Sequence, residues 1–355
     1  MQNLKVLIAD DSVVFRKTLK QILSEVDHVE IVDSVMNGKL ALKVLQNEKV
    51  DLVILDIEMP EMDGFETIKA MKENSINTKA IIFSSQSTGS IQKSLKTMDY
   101  GVVDVIMKPE TSSFSAALES IKSSLIPRLE AFIRKNVSTH RHSKSRVAQN
   151  SRFISDVNAI PNIQRMEAIA VASSTGGPSA LHEFFKQLEG LKIKIPIFVT
   201  QHMPPVFTAG LAERIGQITG IESKEGLENE VVGSKIYVAP GDWHMIIKED
   251  NDGVKRIKLH QKGLRCGVRP AADNMFESIA DLYRQRVLGF VLTGMGADGA
   301  EGSKAIKQNG GRIMIQDEES SVVWGMPGAT HELGIVDWVG TPETCGLVAR
   351  EHLQI

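Results

Sequence analysis

Short apolar runs alternate with helix-spaced apolar positions through about the first 125 residues of the chain. The runs Leu4–Ala9, Leu52–Leu55 and Ala80–Phe83 are almost wholly apolar, which is typical of strands that are buried on both faces of a sheet. Segments between them, such as Val13–Val26, carry leucine and isoleucine at helical spacing. The pattern predicts a domain of residues 1–125 with an α/β fold, built on a five-stranded, doubly wound parallel sheet.

A second alternation of strands and helices begins after residue 162. The apolar runs Ala168–Ala172, Ile195–Thr200 and Val287–Leu292 are predicted strands, and segments such as Ser179–Leu188 have helical spacing between them. We therefore predict that residues 163–355 form a second α/β domain on a doubly wound, mostly parallel sheet.

The composition changes between these two predicted domains. After Pro127 the large apolar residues thin out, and basic residues lie among serine, asparagine, glutamine and histidine. Residues 126–162 are predicted to continue as a helix to about Asn136 and then to form a basic, flexible linker. The alternative is a docking segment for an acidic partner surface.

Charge and cysteine content narrow the possible functions. The formal net charge is -3, which gives no indication of a nucleic-acid partner. Cys266 and Cys345 are the only cysteines and lie far apart, so a reducing cytoplasm fits better than a disulfide framework. No apolar run approaches the ~20 residues of a membrane span, and Met1–Lys5 lacks the layout of a signal peptide. We expect a cytoplasmic protein without direct membrane insertion.

Polar side chains follow four strands of the predicted first sheet. They are Asp10 and Asp11, then Asp56, Ser84 and Lys108, and the carboxyl ends of parallel strands meet in one crevice. Three crowded carboxylates favour Mg²⁺ as counterion, and the lysine and serine could contact a phosphoryl group. Taken singly, Asp10 or Asp11 could be a helix N-cap and Lys108 a solvated lysine. Together they favour a phosphoacceptor site.

These residues carry a family resemblance. Asp10–Ser12, Leu55–Gly64 and Lys108-Pro109 resemble the motifs of the response-regulator receiver family, whose fold is flavodoxin-like. Many receivers have an aromatic residue three positions before the lysine, where this chain has Val105. The resemblance implies that a histidine kinase is the phosphodonor. It further implies phosphorylation of Asp56, Mg²⁺ ligation by Asp11, Asp56 and the Glu58 carbonyl with Asp10 assisting, and phosphoryl contacts from Ser84 and Lys108.

A glycine-rich turn follows the first strand of the second domain. Ala168–Ala172 runs directly into Ser173–Pro178, whose glycines allow a tight turn and close approach of a substrate. Backbone N–H groups at the start of the following helix could stabilise an oxyanion. A purely structural or phosphate-cradling loop is the alternative interpretation.

Two further strands of the second domain end in a histidine and an aspartate. His202 follows Ile195–Thr200, and Asp298 lies in a glycine-rich loop after Val287–Leu292. Singly, the histidine could be packed or solvated and the aspartate a turn residue. A serine, a histidine and an aspartate at three strand ends form the set needed for a nucleophile, its base and the group that orients the base.

The second half resembles the catalytic domain of the chemotaxis protein-glutamate methylesterase family, CheB. The family nucleophile precedes Thr-Gly-Gly, which places it on Ser174. The resemblance maps the general base to His202 and its orienting residue to Asp298, and it assigns active-site or oxyanion loops to Thr175, Gly176, Gly177 and Met295. The matching segments are Ala172–Gly177, Gln201–Pro204, Ala239–His244, Arg269-Pro270, Leu292–Gly299 and Gln316–Pro327.

Two segments depart from the usual pattern of this family. Ala172-Ser173 precedes Ser174 where the family usually has Gly-Ala, and Ala271-Ala272 stands where it usually has Ser-Val. The second change removes a serine hydroxyl and bears on contacts with the substrate.

The resemblance implies phosphorylation-activated hydrolysis of glutamate methyl esters on methylated chemoreceptors, and deamidation of receptor glutamines. It also implies that the unphosphorylated receiver covers the active-site face. No cofactor is expected for the esterase reaction. A catalytically weak relative that acts as a phosphorylation-gated binding module is the alternative. A receiver-linked transcription regulator would need a helix-turn-helix pattern, which is not apparent in the second half.

Overall fold

The computed structural model describes residues 3–110, 113–138, 152–153 and 165–353. The chain forms two compact units, Met1–Ser145 and Arg146–Ile355. Most of the predicted linker lies outside the described residues. Its helical start belongs to a helix that ends at Ser138, close to the predicted Asn136.

The first unit alternates strands and helices along the chain. Its described elements are β1 (Leu4–Ala9), α1 (Val13–Ser24), β2 (Val29–Val35), α2 (Gly38–Asn47), β3 (Leu52–Asp56), α3 (Gly64–Glu73), β4 (Lys79–Ser84), α4 (Thr88–Thr97), β5 (Asp104–Met107) and α5 (Phe114–Ser138).

These strands form one parallel sheet in the order β2-β1-β3-β4-β5. That order is the flavodoxin-like arrangement, in which ligands bind at the carboxyl ends of the strands. Every residue of β3 is buried, because helices cover both faces of such a sheet. The predicted five-stranded, doubly wound fold is confirmed.

Helix α1 begins directly after the acidic pair at the end of β1. Its N-cap is Ser12, whose hydroxyl accepts a hydrogen bond from the Phe15 N–H at 3.3 Å. The interpretation of Asp10 or Asp11 as the N-cap is therefore wrong. Asp10 instead accepts a hydrogen bond from the Ser12 N–H at 2.8 Å, and its carboxylate stays at the end of the sheet.

The second unit is also an α/β structure. Its described elements are β6 (Arg152–Phe153), β7 (Ala168–Ser173), α6 (Gly177–Lys186), β8 (Ile197–Gln201), α7 (Phe207–Thr219), β9 (Ser223–Glu225), β10 (Ile236–Val238), β11 (His244–Glu249), β12 (Lys255–His260), α8 (Ala272–Tyr283), β13 (Val287–Val291), α9 (Ala300–Gln308), β14 (Arg312–Gln316), α10 (Met326–Glu332), β15 (Trp338–Gly340) and α11 (Pro342–Leu353).

Eight strands form a parallel sheet in the order β6-β15-β14-β13-β7-β8-β10-β9. The doubly wound α/β prediction is confirmed. The central neighbours β13, β7 and β8 are completely buried, so their carboxyl ends bring the polar loops after them to one edge.

Strands β11 and β12 form a separate, two-stranded antiparallel sheet, which is a hairpin. The sequence pattern does not predict this hairpin. Its first strand packs on α8 through Met245 and Ile247, which belong to the same buried cluster as Met275 and Ile279. The hairpin thereby fixes the position of α8, whose N-terminus contributes to the site described below.

Candidate active site and phosphoacceptor site

Three carboxylates meet at the carboxyl end of the first sheet. Single oxygen atoms of Asp10, Asp11 and Asp56 all lie within 4.8 Å of one another. The Lys108 Nζ lies 2.8 Å from Asp10 Oδ2 and 2.8 Å from Asp56 Oδ2, and 4.6 Å from the centre of the Phe15 ring. One ammonium group therefore balances only part of the charge of three carboxylates.

Burial shifts the pKa values of the ionisable groups in this cluster. Burial raises the pKa of Asp56 to about 6, although Lys108 acts in the opposite direction. Burial also raises the pKa of Asp10. For Lys108, burial alone would lower the pKa, but the attraction of Asp56 and Asp10 outweighs it and the pKa is raised. A divalent cation that prefers oxygen ligands fits this donor set, because it would offset the remaining negative charge.

The other predicted receiver residues surround the carboxylates. The Lys108 N–H donates to the Ser84 carbonyl at 2.8 Å, which joins the ends of β4 and β5. The Ser84 hydroxyl is buried and donates to the Ser85 carbonyl at 3.1 Å. The Glu58 N–H donates to Asp56 Oδ1 at 3.4 Å, and the Glu58 carboxylate accepts from Ser85 and Ser87. All the predicted residues thus lie along one edge of the sheet.

In the second unit, Ser174 lies in the tight turn between β7 and α6. Its N–H donates to the Thr293 carbonyl at 3.0 Å, and its own carbonyl accepts from the Gly177 N–H at 2.7 Å. Gly176, the N-cap of α6, has a φ of 80°, which a residue with a side chain adopts only at a cost. The predicted strand-turn-helix is therefore present.

A buried glutamine links the serine turn to the histidine. Gln201 Nε2 donates to the Ser174 carbonyl at 2.9 Å and to the His202 carbonyl at 3.3 Å. Gln201 Oε1 accepts from the Ser173 hydroxyl at 2.7 Å. A Cβ atom at Gly177 would lie only 1.9 Å from Gln201 Oε1, so a residue with a side chain at this position would displace the Gln201 amide. These contacts hold the backbones of Ser174 and His202 side by side.

His202 and Asp298 form a direct pair. The His202 Nε2 and Asp298 Oδ2 atoms lie 2.8 Å apart, with the aspartate side chain buried and the histidine side chain 11% exposed. Because Nε2 faces the carboxylate, Nδ1 is the ring nitrogen left for other chemistry. Within the described residues no hydrogen bond joins the Ser174 hydroxyl to the His202 ring. Such a contact often forms only when substrate is bound.

Asp298 is held at the N-terminus of α8. Its Oδ2 accepts from the Ala272 N–H at 2.6 Å and its Oδ1 from the Asp273 N–H at 3.0 Å. Burial alone would raise the pKa of Asp298, but the hydrogen bond with His202 and these N–H groups lower it. A charged carboxylate is favoured at the start of a helix. Asp298 is therefore ionised and fixed in orientation.

Asp273 accepts hydrogen bonds at the N-terminus of the neighbouring helix, α9. Its Oδ1 accepts from the Gly299 N–H at 2.9 Å and from the Gly302 N–H at 2.7 Å, at the start of α9. Asp298 thus holds the start of α8 while Asp273 holds the start of α9. The Ala271-Ala272 departure lies in this segment, and both side chains are buried. These two residues contribute their backbone N–H groups, which do not depend on the lost serine hydroxyl.

The loop after β13 packs directly on Ser174. A Cβ atom at Gly294 would lie 2.8 Å from the Ser174 Cβ. The Gly294 N–H already donates to the Val323 carbonyl at 3.1 Å. Met295 follows and is partly exposed, while Thr175 is buried. The loop that carries Met295 therefore packs against Ser174, which Thr175–Gly177 directly follow in the chain.

Three residues have roles that the sequence pattern does not reveal. Gln201 and His244 lie in the segments that match the family but receive no role from the resemblance, and Asp273 follows the Ala271-Ala272 departure. Each acts through hydrogen bonds to backbone groups from distant parts of the chain. A polar residue beside a strand end or helix start was the only available signal.

Family comparisons extend over almost the whole chain. The family model described as CheB methylesterase matches residues 169–346, and the model described as response regulator receiver domain matches residues 6–119. The chain belongs to the CheB methylesterase family. The family model for the receiver matches the part of the chain that forms the five-stranded sheet.

Curated relatives of this CheB family chain match it at nearly full length. A protein-glutamate methylesterase/protein-glutamine glutaminase of Trichodesmium erythraeum is 37% identical over 341 residues, which is 96% of each chain. A protein of that name, numbered 1, from Rhodospirillum rubrum is 36% identical over 354 residues, covering 93% of this chain and 90% of the relative. The crystal structure of the Thermotoga maritima CheB methylesterase catalytic domain is 34% identical and covers 53% of this chain and 97% of its own, with a TM-score of 0.49.

Proposed function

We propose that this protein hydrolyses glutamate methyl esters of chemoreceptors and deamidates receptor glutamines, under the control of phosphorylation at Asp56. The buried His202–Asp298 pair beside the Ser174 turn carries the proposal. Relatives that match 90% or more of this chain are named as methylesterases and glutaminases. Those names favour an enzyme over a catalytically weak binding module, and the family membership leaves no support for a transcription regulator.

In the first step, the Ser174 Oγ attacks the γ-carbonyl carbon of the ester and His202 Nδ1 takes the hydroxyl proton. The assignment to Nδ1 follows from the contact of Nε2 with Asp298 at 2.8 Å. The carbon–oxygen bond of the ester then breaks, and methanol leaves with the proton from His202. For a glutamine substrate, ammonia leaves in place of methanol.

In the second step, His202 Nδ1 takes a proton from water, and the resulting hydroxide attacks the acyl-enzyme. The bond to Ser174 breaks, the serine recovers its proton from His202, and a glutamate side chain is released. Asp298 keeps the proton on Nε2 throughout and stabilises the imidazolium that forms. Its own charge is maintained by the N–H groups of α8.

The negative oxygen of the tetrahedral intermediate needs hydrogen-bond donors in a fixed position. Two N–H groups near Ser174 are already used, since Gly177 donates to the Ser174 carbonyl and Gly294 donates to the Val323 carbonyl. We therefore assign this role to the N–H groups of Gly176 and Met295, which lie next to them on the two loops. Pro178 has no N–H and is excluded.

Asp56 would receive the phosphoryl group in the receiver unit. Asp10, Asp11 and Asp56, with the Glu58 carbonyl, would hold Mg²⁺, which would supply positive charge to offset that of the phosphoryl group. Lys108, which lies 2.8 Å from Asp56 Oδ2, and the Ser84 hydroxyl would contact the phosphoryl group. Phosphorylation would then shift the protein toward a more active state.

Histidine kinases and methylated chemoreceptors are the partners that this activity requires. We place the protein in the cytoplasm, which suits its two unpaired cysteines. In the described part of the chain, no helix combines the length and apolar character of a membrane span. The domain limits that suit the proposal are those predicted: 1–125 for the receiver, 126–162 for the linker and 163–355 for the hydrolase.

The test is methanol release from methylated receptor with and without acetyl phosphate. The unsubstituted protein should release methanol, and acetyl phosphate should increase the rate. The Asp56→Asn variant should keep the basal rate and lose the increase, because its amide is not a phosphoryl acceptor. Absence of methanol release from the unsubstituted protein would refute the function, and an undiminished increase in the variant would refute the control by Asp56.

A further inference from the structure

His244 is a fully buried histidine at the start of the β11–β12 hairpin. It belongs to the quoted segment Ala239–His244, to which the proposed mechanism gives no role. Its ring faces that of His260 across the hairpin, with the ring centres 5.1 Å apart. A buried imidazole must have partners for both nitrogens if it is not to destabilise the fold.

Both ring nitrogens of His244 have a partner. The Nδ1 atom accepts from the Ala271 N–H at 3.1 Å, and the Nε2 atom lies 3.2 Å from the Gly263 carbonyl. Because a carbonyl can only accept, the proton of the ring is on Nε2, and Nδ1 has the lone pair. Burial lowers the pKa of His244, and this effect outweighs the hydrogen bond with Gly263 and the charge of Asp298, which raise it, so the neutral ring is favoured.

The bond from Ala271 leads directly to the His202–Asp298 pair. The next two N–H groups along the chain, those of Ala272 and Asp273, are the ones that hold the Asp298 carboxylate at 2.6 and 3.0 Å. Three successive N–H groups therefore have fixed acceptors, first an imidazole and then a carboxylate. The first bond thus anchors the same short backbone segment that holds the carboxylate.

We propose that His244 is a positioning residue for the esterase reaction, which fixes the Ala271–Asp273 backbone and thereby the orientation of Asp298 toward His202. The expected effect on kcat rests on the proposed function, whereas the effect of His244 on the orientation of Asp298 does not depend on it. Loss of the acceptor at Nδ1 would leave a buried N–H without a partner and allow the segment to shift. A displacement of about 1 Å in such a site can lower the rate roughly 100-fold.

A purely structural role for His244 predicts a different ranking of variants from a positioning role. In His244→Asn, the side-chain oxygen can take the place of Nδ1, whereas His244→Leu has nearly the same size and no acceptor. If the residue only filled space, the apolar leucine would be tolerated as well as or better than asparagine. If it positions Asp298, asparagine preserves the kcat for methanol release and leucine lowers it roughly 10- to 100-fold with little change in KM.

The matched control is His260→Leu. This variant removes the neighbouring imidazole of the same hairpin, which has no bond to the Ala271–Asp273 segment, and it should leave kcat unchanged. Thermal unfolding of all three variants measures any loss of folding separately. The full-length protein labelled with ¹⁵N-histidine gives a readout that does not depend on activity, namely the proton resonance of the His202 Nε2–H that faces Asp298.

The positioning role predicts that this resonance is unchanged in His244→Asn and shifted or broadened in His244→Leu. An unchanged resonance and an unchanged kcat in a folded His244→Leu protein would overturn the inference. So would equal losses in the asparagine and leucine variants. If the unsubstituted protein released no methanol, the proposed function would fail, while the resonance would still decide whether His244 positions the pair.

Discussion

Replacing Asp298 with asparagine changes one atom and disturbs three hydrogen bonds. The carboxylate accepts from His202 at 2.8 Å, from Ala272 at 2.6 Å and from Asp273 at 3.0 Å. An amide has one accepting oxygen and one donating nitrogen. If its oxygen faces His202 and Ala272, its nitrogen opposes the Asp273 N–H. If it turns over, its nitrogen opposes the Ala272 N–H and the His202 Nε2–H.

Both orientations of the amide should lower the stability of the protein by an amount that can be estimated. Either one leaves a buried N–H opposite another donor, and the start of α8 loses a negative charge. Together these effects should lower the free energy of unfolding by roughly 1 to 4 kcal/mol. In the second orientation His202 must move its proton to Nδ1 and can no longer accept from Ser174. We expect kcat to fall on the order of 10²- to 10⁴-fold, the upper value being the effect of this change in a serine protease triad.

Methanol release and thermal unfolding measure the two effects separately. Asp337→Asn is a suitable control, because Asp337 also accepts from a backbone N–H, that of Ile313 at 2.9 Å, and also pairs with Lys307 and Arg312. It should lose stability and keep its kcat. A folded Asp298→Asn protein with the kcat of the unsubstituted enzyme would show that Asp298 does not set the state of His202.

Three further changes have defined outcomes. Gly294→Ala places a Cβ 2.3 Å from the Met326 Sδ and 2.8 Å from the Ser174 Cβ, so overpacking should cost about 1–3 kcal/mol of stability and lower kcat; unchanged melting and methanol release would contradict this packing. His352 is buried, neither ring nitrogen has a partner among the described residues, and burial lowers its pKa from 6.5. The unfolded chain therefore binds a proton more readily below about pH 6.5, and stability falls on acidification. His352→Leu should reduce the slope of the free energy of unfolding against pH by at most about 1.4 kcal/mol per pH unit, as measured by urea unfolding between about pH 5 and pH 7. Identical slopes in the variant and the unsubstituted protein would refute His352 as the cause. Removal of Mg²⁺ by EDTA should abolish phosphorylation of Asp56 by acetyl phosphate, as detected by intact mass, and persistence of the phosphorylated species would contradict the metal assignment.

The parallel strands of both units could be predicted because burial on two faces leaves a continuous apolar run. The run Leu52–Leu55 became β3 with every residue buried, and Ala168–Ala172 became most of β7. The β11–β12 hairpin could not be predicted in this way, because lysine, arginine and glutamate interrupt its apolar positions and most of β12 is only half-buried. Its place is set by packing on α8, which is a tertiary contact.

The position of the candidate sites was predictable for a related reason. Polar residues that follow buried parallel strands must meet at one edge, and His202 and Asp298 do so although they are 96 positions apart in the chain. The supporting contacts were not predictable. Asp298 accepts a hydrogen bond at the start of α8, and Asp273 accepts one at the start of α9. Both bonds depend on how the two helices pack against each other, which the residue pattern of each helix alone does not give.

The central claim is that Ser174 is the nucleophile of a serine esterase, and a fluorophosphonate probe tests it most directly. The unsubstituted full-length protein should become labelled at Ser174, and labelling should abolish methanol release. Ser174→Ala should be unlabelled and inactive, whereas Ser173→Ala, a change in the neighbouring hydroxyl, should still be labelled. Labelling or methanol release that persists in a folded Ser174→Ala protein would contradict the account.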